Sequence, residues 1–423
     1  MRENDTWYQV DNVAKIFIAT ANKRDTRSFR VSCYLKEKVD SAILQEALDL
    51  ATECRPQYQV FIRRGLFWHY MEETDILAKV EEEHFRPCPI LYTKNHKTRL
   101  HYRVSYFGKR INLDMFHALT DGNGGLEFLN IIVQNYLKLR YPDKLSNLSV
   151  GTGAASDELS EDSFKHNFSQ ELDDKNIVSS PKAKAAYHIK GLLLPYNQMQ
   201  FFEVHMSASE VLKLAKEQNA TMTSYLGAKL MQAIYKDMPA IQKHKKPVTI
   251  SMPVNLRNYF ESGTSRNFFN SVYVSHLFDG TETTESLAKE FDAKLKAELT
   301  PEKVAQKMFN YEKMERLIFV RLVPLLVKNP SVALGTIAER RKVTAVISNL
   351  GRIQVPEEIR EYIGGYTCFC SSPSMFFTIS TYGDDLTFGI SSVYRNTGIL
   401  KKFIRDFTDK GIEVTVNATE VVR

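Results

Sequence analysis

Among 423 residues, the run Phe116-His117-Ala118-Leu119-Thr120-Asp121-Gly122 combines residue types suited to proton transfer at fixed spacing. An imidazole titrates near pH 6.5. It can take a proton from an alcohol at neutral pH and return it to a leaving group, an effect of roughly 10²–10⁴ in rate. His117 is therefore the candidate general base. The glycines of Asn123-Gly124-Gly125 do not make a phosphate cradle: no Lys-Ser/Thr follows them, and the dinucleotide-binding spacing is missing. They read as a turn opening a helix. No nucleophilic serine elbow is visible, so a covalent enzyme intermediate is not expected.

The elements around His117 explain how it would be held. Tyr102 to Phe107 and Asn112 to Phe116 read as strands, the second ending at the histidine. After the glycines, Leu126, Phe128, Leu129, Ile132, Val133, Tyr136 and Leu137 recur at helical spacing. Earlier, Phe29 to Lys36 is strand-like, Asp40-Ser41 caps an amphipathic run to about Glu53, and Tyr58 to Tyr70 reads as a hairpin turning near Arg64-Gly65. The opening is thus mixed α/β.

From about residue 145 to 184 the composition shifts to Ser, Asp, Glu, Gly and Lys, the signature of a linker or crossover. This predicts a first half over 1–150, a polar crossover over 151–185 and a second half over 186–423. In the second half, Met199 to His205 is strand-like, and Ser207-Ala208-Ser209-Glu210 has capping-box spacing before a helix to about Gln218. A helix follows from about Thr223 to Lys236, then strands over Val248 to Leu256 and Ser271 to Phe278. Helical runs are expected over Glu285 to Leu299 and after Pro301, then a strand over Thr344 to Asn349. A hairpin over Phe376 to Val393 turns at Gly383-Asp384-Asp385, and a helix from about Gly398 to Lys410 closes the chain.

Composition narrows the function classes. The length exceeds what one core usually supports, and the apolar and charged fractions of 43% and 25% are those of a globular protein. The net charge of +6 is dispersed. Its densest run, Lys243-His244-Lys245-Lys246, lacks interleaved aromatics, so no nucleic-acid partner is expected. Five scattered cysteines, Cys33, Cys54, Cys88, Cys368 and Cys370, fit reduced thiols and complete no zinc site. The start of the chain, Met1 to Trp7, is polar and acidic where an export signal would be basic and then apolar, so a cytoplasmic location is expected. The most apolar helical stretch, Leu317 to Val327, is interrupted by Arg321 and Pro324; it is too short to span a membrane and reads as a buried or groove-facing helix.

Four segments carry a family resemblance: Trp7-Tyr8 with Asp11 and Phe17; Phe116-His117 through Gly122; Met252-Pro253-Val254-Asn255-Leu256-Arg257; and Ser348-Asn349-Leu350-Gly351 followed by Pro356. With them the chain resembles the superfamily of chloramphenicol acetyltransferases, condensation domains and BAHD acyltransferases, most of all its alcohol acetyltransferase branch. The resemblance implies two similarly folded α/β halves, each a mixed sheet with helices, meeting at a central cleft or tunnel. It implies His117 as base, and Asp121, paired with Arg257, as a structural carboxylate. It also implies Gly122 at a tight turn where a Cβ would clash.

Acyl transfer passes through an oxyanion that preorganised donors must meet. Ser348 and Asn349 are the side-chain candidates, and both read equally as braces of a strand end. Where condensation domains place a second histidine this chain has Phe116, and the Asp-Phe-Gly-Trp-Gly segment of the plant enzymes is absent.

The function implied is O-acetyl or short-acyl transfer from acetyl-CoA or another acyl-CoA, a cosubstrate rather than a tightly bound cofactor, to a small-molecule hydroxyl. The alternatives are transfer or condensation from a carrier-protein thioester and a non-catalytic binding relative. A monomer without metal is expected.

Overall fold

The computed structural model describes residues 7–93, 99–151, 184–196, 198–260, 262–316 and 323–419. The first half runs β1 (Trp7–Gln9), α1 (Asn12–Thr20), β2 (Ser28–Leu35), α2 (Ser41–Cys54), β3 (Val60–Arg64), β4 (His69–Glu73), β5 (Val80–Glu82), β6 (Tyr102–Phe107), β7 (Arg110–Phe116), α3 (Gly122–Arg140) and the single turn α4 (Pro142–Leu145). The second half begins with β8 (Gln200–Ser207), α5 (Ala208–Glu217), α6 (Met222–Asp237), β9 (Val248–Asn255) and β10 (Phe269–His276). It continues with α7 (Thr284–Glu298), α8 (Pro301–Arg316), α9 (Leu325–Arg340), β11 (Ala345–Arg352), β12 (Ile363–Cys370), β13 (Met375–Tyr382), β14 (Asp385–Ser392), α10 (Gly398–Thr408) and β15 (Thr415–Ala418).

These elements form a mixed α/β fold with two sheet-rich halves. One sheet has strand order β12-β2-β7-β6-β5 and the other β10-β9-β11-β13-β14-β8-β15, while β1-β4-β3 form a small third sheet. Most pairs are antiparallel; β5 with β6, and β11 with both β9 and β13, are parallel. Each large sheet has its own apolar core. In the first, α2 presents Leu44, Ala47, Leu48 and Ala51, a buried stripe at helical spacing, after Asp40 accepts the N–H groups of Ala42 and Ile43.

The strand β12 belongs in sequence to the second half but pairs along the edge of the first half's sheet, Cys368 opposite Val31 and Phe369 opposite Arg30. It therefore ties the halves together. Where β12 crosses β14, an ideal Cβ on Gly389 would lie 1.7 Å from the Cys368 carbonyl oxygen, so only glycine permits this approach. Thr378 Oγ1 donates to both the Cys368 and Gly389 carbonyls around the same point.

Several expectations need correction. Asn123-Gly124-Gly125, read as a turn opening a helix, lie with Gly122 inside the first turn of α3, because Asp121 Oδ1 accepts the N–H groups of Asn123 and Gly124 at 3.1 Å. Ser207 caps α5 through the Glu210 N–H, whereas the reciprocal box forms at Thr283 and Ser286 before α7. Of the apolar stretch 317–327, residues 317–322 lie outside the described residues. Pro324 caps α9, where Leu325 is buried while Leu326 and Val327 are 71% and 58% exposed, so of the buried or groove-facing alternatives full burial does not hold at this end. All but the ends of the polar crossover over 151–185 likewise lies outside the described residues. No helix among the described residues is long and apolar enough to cross a membrane.

Candidate functional site

His117 follows β7 directly, and its N–H donates to the Arg27 carbonyl at 2.8 Å, extending the β2–β7 ladder by one step. Arg27 turns into β2 with a φ of 54°, the left-handed region that costs a non-glycine residue about 1 kcal/mol or more. Strand alternation sends Phe116 into the core, stacked on Tyr92, and leaves His117 half-buried on the other side. There the imidazole stacks on Phe17 of α1, with ring centroids 4.3 Å apart. Phe29 of β2 and Phe269 of β10 sit at 5.0 and 5.8 Å. Both halves thus wall the ring.

Asn267, just before β10, touches His117 twice. Its Oδ1 lies 3.1 Å from Nδ1, and its Nδ2 donates to the His117 carbonyl at 2.9 Å. Nδ2 also reaches Asp11 Oδ2 at 3.4 Å, while Asp11 Oδ1 accepts the Ala14 N–H at 2.7 Å and so caps α1. Burial, helped by the nearby Arg27 cation and only partly opposed by Asp121, by the ring's hydrogen bond to its own backbone and by the Asn267 hydrogen bond, holds the imidazole pKa below its ordinary 6.5. The ring is therefore neutral at pH 7, with one nitrogen able to accept a proton.

The carboxylate of Asp121 has both oxygens engaged. Oδ1 caps α3, and Oδ2 accepts from Arg257 Nη1 at 2.7 Å and from the Phe268 N–H at 3.0 Å. Arg257 in turn donates to the carbonyls of Arg266 and Thr264 at 2.6 and 3.1 Å. The segment 264–268 is thereby pressed against the start of α3. An ideal Cβ on Gly124 would meet Thr120 Oγ1 at 2.1 Å and the Ser265 carbonyl at 2.6 Å. Thr120 Oγ1 itself donates to the Ser265 carbonyl.

Gly122 is the first residue of α3, and an ideal Cβ there would sit 3.1 Å from Leu350 Cδ2. That contact brings the Ser348-Asn349-Leu350-Gly351 segment of β11 to the motif. Asn349 is exposed; its amide donates to Thr223 Oγ1 at 3.0 Å and its carbonyl accepts the Gly351 N–H at 2.8 Å. Ser348 is half-buried opposite Thr378. The cysteines are free thiols, and burial pushes Cys33 and Cys368 up to about 12. Among the described residues no cluster of three or more His, Cys, Asp or Glu could hold a metal ion.

Reading the residues alone missed Asn267 and assigned no role to Asp11 or Phe17. An asparagine before a Phe-Phe pair carries no recognisable spacing to a histidine 150 positions away. Only the ladder and the Asp121–Arg257 clamp reveal the pairing.

No family model and no curated protein matches the chain. Solved structures do resemble it across nearly its full length. Polyketide synthase associated protein 5 from Mycobacterium tuberculosis aligns with a TM-score of 0.61 at 12% identity, covering 93% of this chain and 96% of that one. TRI101 from F. sporotrichioides, in complex with coenzyme A and T-2, aligns with a TM-score of 0.61 at 10% identity, covering 96% and 99%. The first condensation domain of the CDA synthetase aligns at 0.59 and 11% identity, covering 95% of each chain. At these identities the likeness establishes the fold.

Proposed function

We propose that this chain is an acyltransferase that moves an acetyl or other short acyl group from acyl-CoA to a small-molecule hydroxyl, with His117 as general base. One observation carries the reading: a neutral, half-buried imidazole at the end of β7, walled by rings from both halves. The fold shared with a protein crystallised with coenzyme A supports the choice of donor.

In this reading the free imidazole nitrogen takes the acceptor's proton as its oxygen attacks the thioester carbonyl. The tetrahedral intermediate collapses, the C–S bond breaks, and the departing thiolate takes the proton back from the imidazolium. The products are an ester and CoA thiol, with no covalent enzyme intermediate. Asp121 and Arg257 hold the motif to the second half, Gly122 keeps the start of α3 clear for Leu350, and Ser348 and Asn349 are the proposed side chains nearest the oxyanion or the cleft. The functional units are proposed as 1–150, a crossover over 151–185 and 186–423, acting as a cytoplasmic monomer.

A second reading, transfer from a carrier-protein thioester, draws on the likeness to a condensation domain. Thiol release from acetyl-CoA, measured with a panel of alcohols, amines and sugars, separates the two. Hydroxyl-dependent release supports the proposal; release only from a phosphopantetheine carrier supports the second reading. No release from either donor overturns both.

A further inference from the structure

We propose that Asn267 is a positioning residue that fixes the tautomer of His117, and that Asp11 fixes Asn267. The proposal rests on reading His117 as the base and specifies which nitrogen does the work.

An asparagine amide can be placed in two ways, and here its neighbours choose between them. Asn267 is only 2% exposed. In the observed placement its NH₂ faces two oxygens, the His117 carbonyl at 2.9 Å and Asp11 Oδ2 at 3.4 Å, while its Oδ1 faces Nδ1 at 3.1 Å. The reversed placement would set the amide oxygen against both of those acceptors and leave them without its donor, a costly loss for buried groups. Oδ1 therefore accepts, and Nδ1 carries the hydrogen. The lone pair is left on Nε2, the nitrogen that Asn267 does not touch, which becomes the proton acceptor.

The choice of an amide matters as much as its direction. A carboxylate at the same place would have no donor for the His117 carbonyl and Asp11, and its charge would stabilise the imidazolium against the burial that lowers its pKa. The amide orients the ring without charging it.

Asp11 then acts at two removes. One oxygen anchors the Asn267 amide, and the other caps α1, the helix whose Phe17 stacks on the imidazole. The segment that delivers Asn267 is held on both sides of it, since the Phe268 N–H donates to Asp121 and the Arg266 carbonyl accepts from Arg257. Asp121 and Arg257 thus serve the base by placing Asn267.

The test uses the full chain labelled with ¹⁵N-histidine, with His117 assigned by comparison with His117→Ala. Near neutral pH the wild type is expected to show the form protonated on Nδ1, and Asn267→Ala a mixture of both tautomers. In the acyl-transfer assay Asn267→Ala is expected to lower kcat by at least about tenfold with KM for the thioester little changed. The Nε2-protonated form in the wild type, or an Asn267→Ala variant with unchanged tautomer and unchanged kcat, overturns the proposal. The spectroscopic result requires no activity, so an inactive chain that still shows the Nδ1-protonated ring and loses it in Asn267→Ala retains this proposal while the acyltransferase reading fails.

Discussion

For a general base the decisive quantity at His117 is the fraction of neutral imidazole at working pH. Burial is the largest influence and, with the Arg27 cation, favours the neutral form; Asp121, the ring's hydrogen bond to its own backbone and the Asn267 hydrogen bond oppose it without reversing it. Below the lowered pKa the ring is protonated and cannot accept a proton; above it the ring is competent. The acid limb of kcat/KM is therefore expected below pH 6.5, measured in the free enzyme at subsaturating substrate. A limb at or above 7 would show that another group limits the reaction. His117 was legible because imidazole, carboxylate and glycine stand close together in sequence. Asn267 was not, since its meaning comes only from a partner brought near by folding.

Among the elements, the legible ones had local determinants. The helix α2 follows a side-chain cap and an apolar stripe, and β13 and β14 flank the two-residue turn Gly383-Asp384. The course of β12 was not legible, because pairing with β2 is chosen by a neighbour more than 300 positions distant. The exposure at the start of α9 was not legible for a related reason: an apolar run states a preference for burial, not whether the fold supplies a partner. The junction between α3 and the segment 264–268 combines one ion pair with hydrogen bonds from the Phe268 N–H and from Thr120. Arg257→Gln removes the cation and leaves the Asp121 carboxylate, 5% exposed, without it. Because Arg257 itself is partly solvated, the expected cost is up to about 3 kcal/mol. That corresponds to a fall in Tm on the order of 5 °C in a thermal melt. An unchanged Tm would mean that the backbone contacts alone hold the junction.

At the scale of the molecule, a polar chain joins the two large sheets. Arg110 donates to Tyr34 Oη at 3.1 Å, Tyr34 donates to Glu203 at 2.8 Å, and His205 sits between Glu203 and Asp385 at 2.7 and 2.9 Å. Burial works against charge on His205, yet the hydrogen bonds and charges of Asp385 and Glu203 raise its pKa to about 9. A raised folded-state pKa contributes stability that is fully present below pH 6.5 and is lost as pH rises through about 9. Between pH 7 and 9.5 the wild type is therefore expected to lose more Tm than His205→Gln. Equal losses would show that the link between sheets does not depend on this proton.

The central claim, that His117 is the base of an acyl transfer, is tested most directly by thiol release from acetyl-CoA with the best hydroxyl acceptor, comparing wild type with His117→Ala at matched folding. A fall in the acceptor-dependent rate of roughly 10²–10⁴ is expected. Undiminished release by the folded variant would contradict the claim.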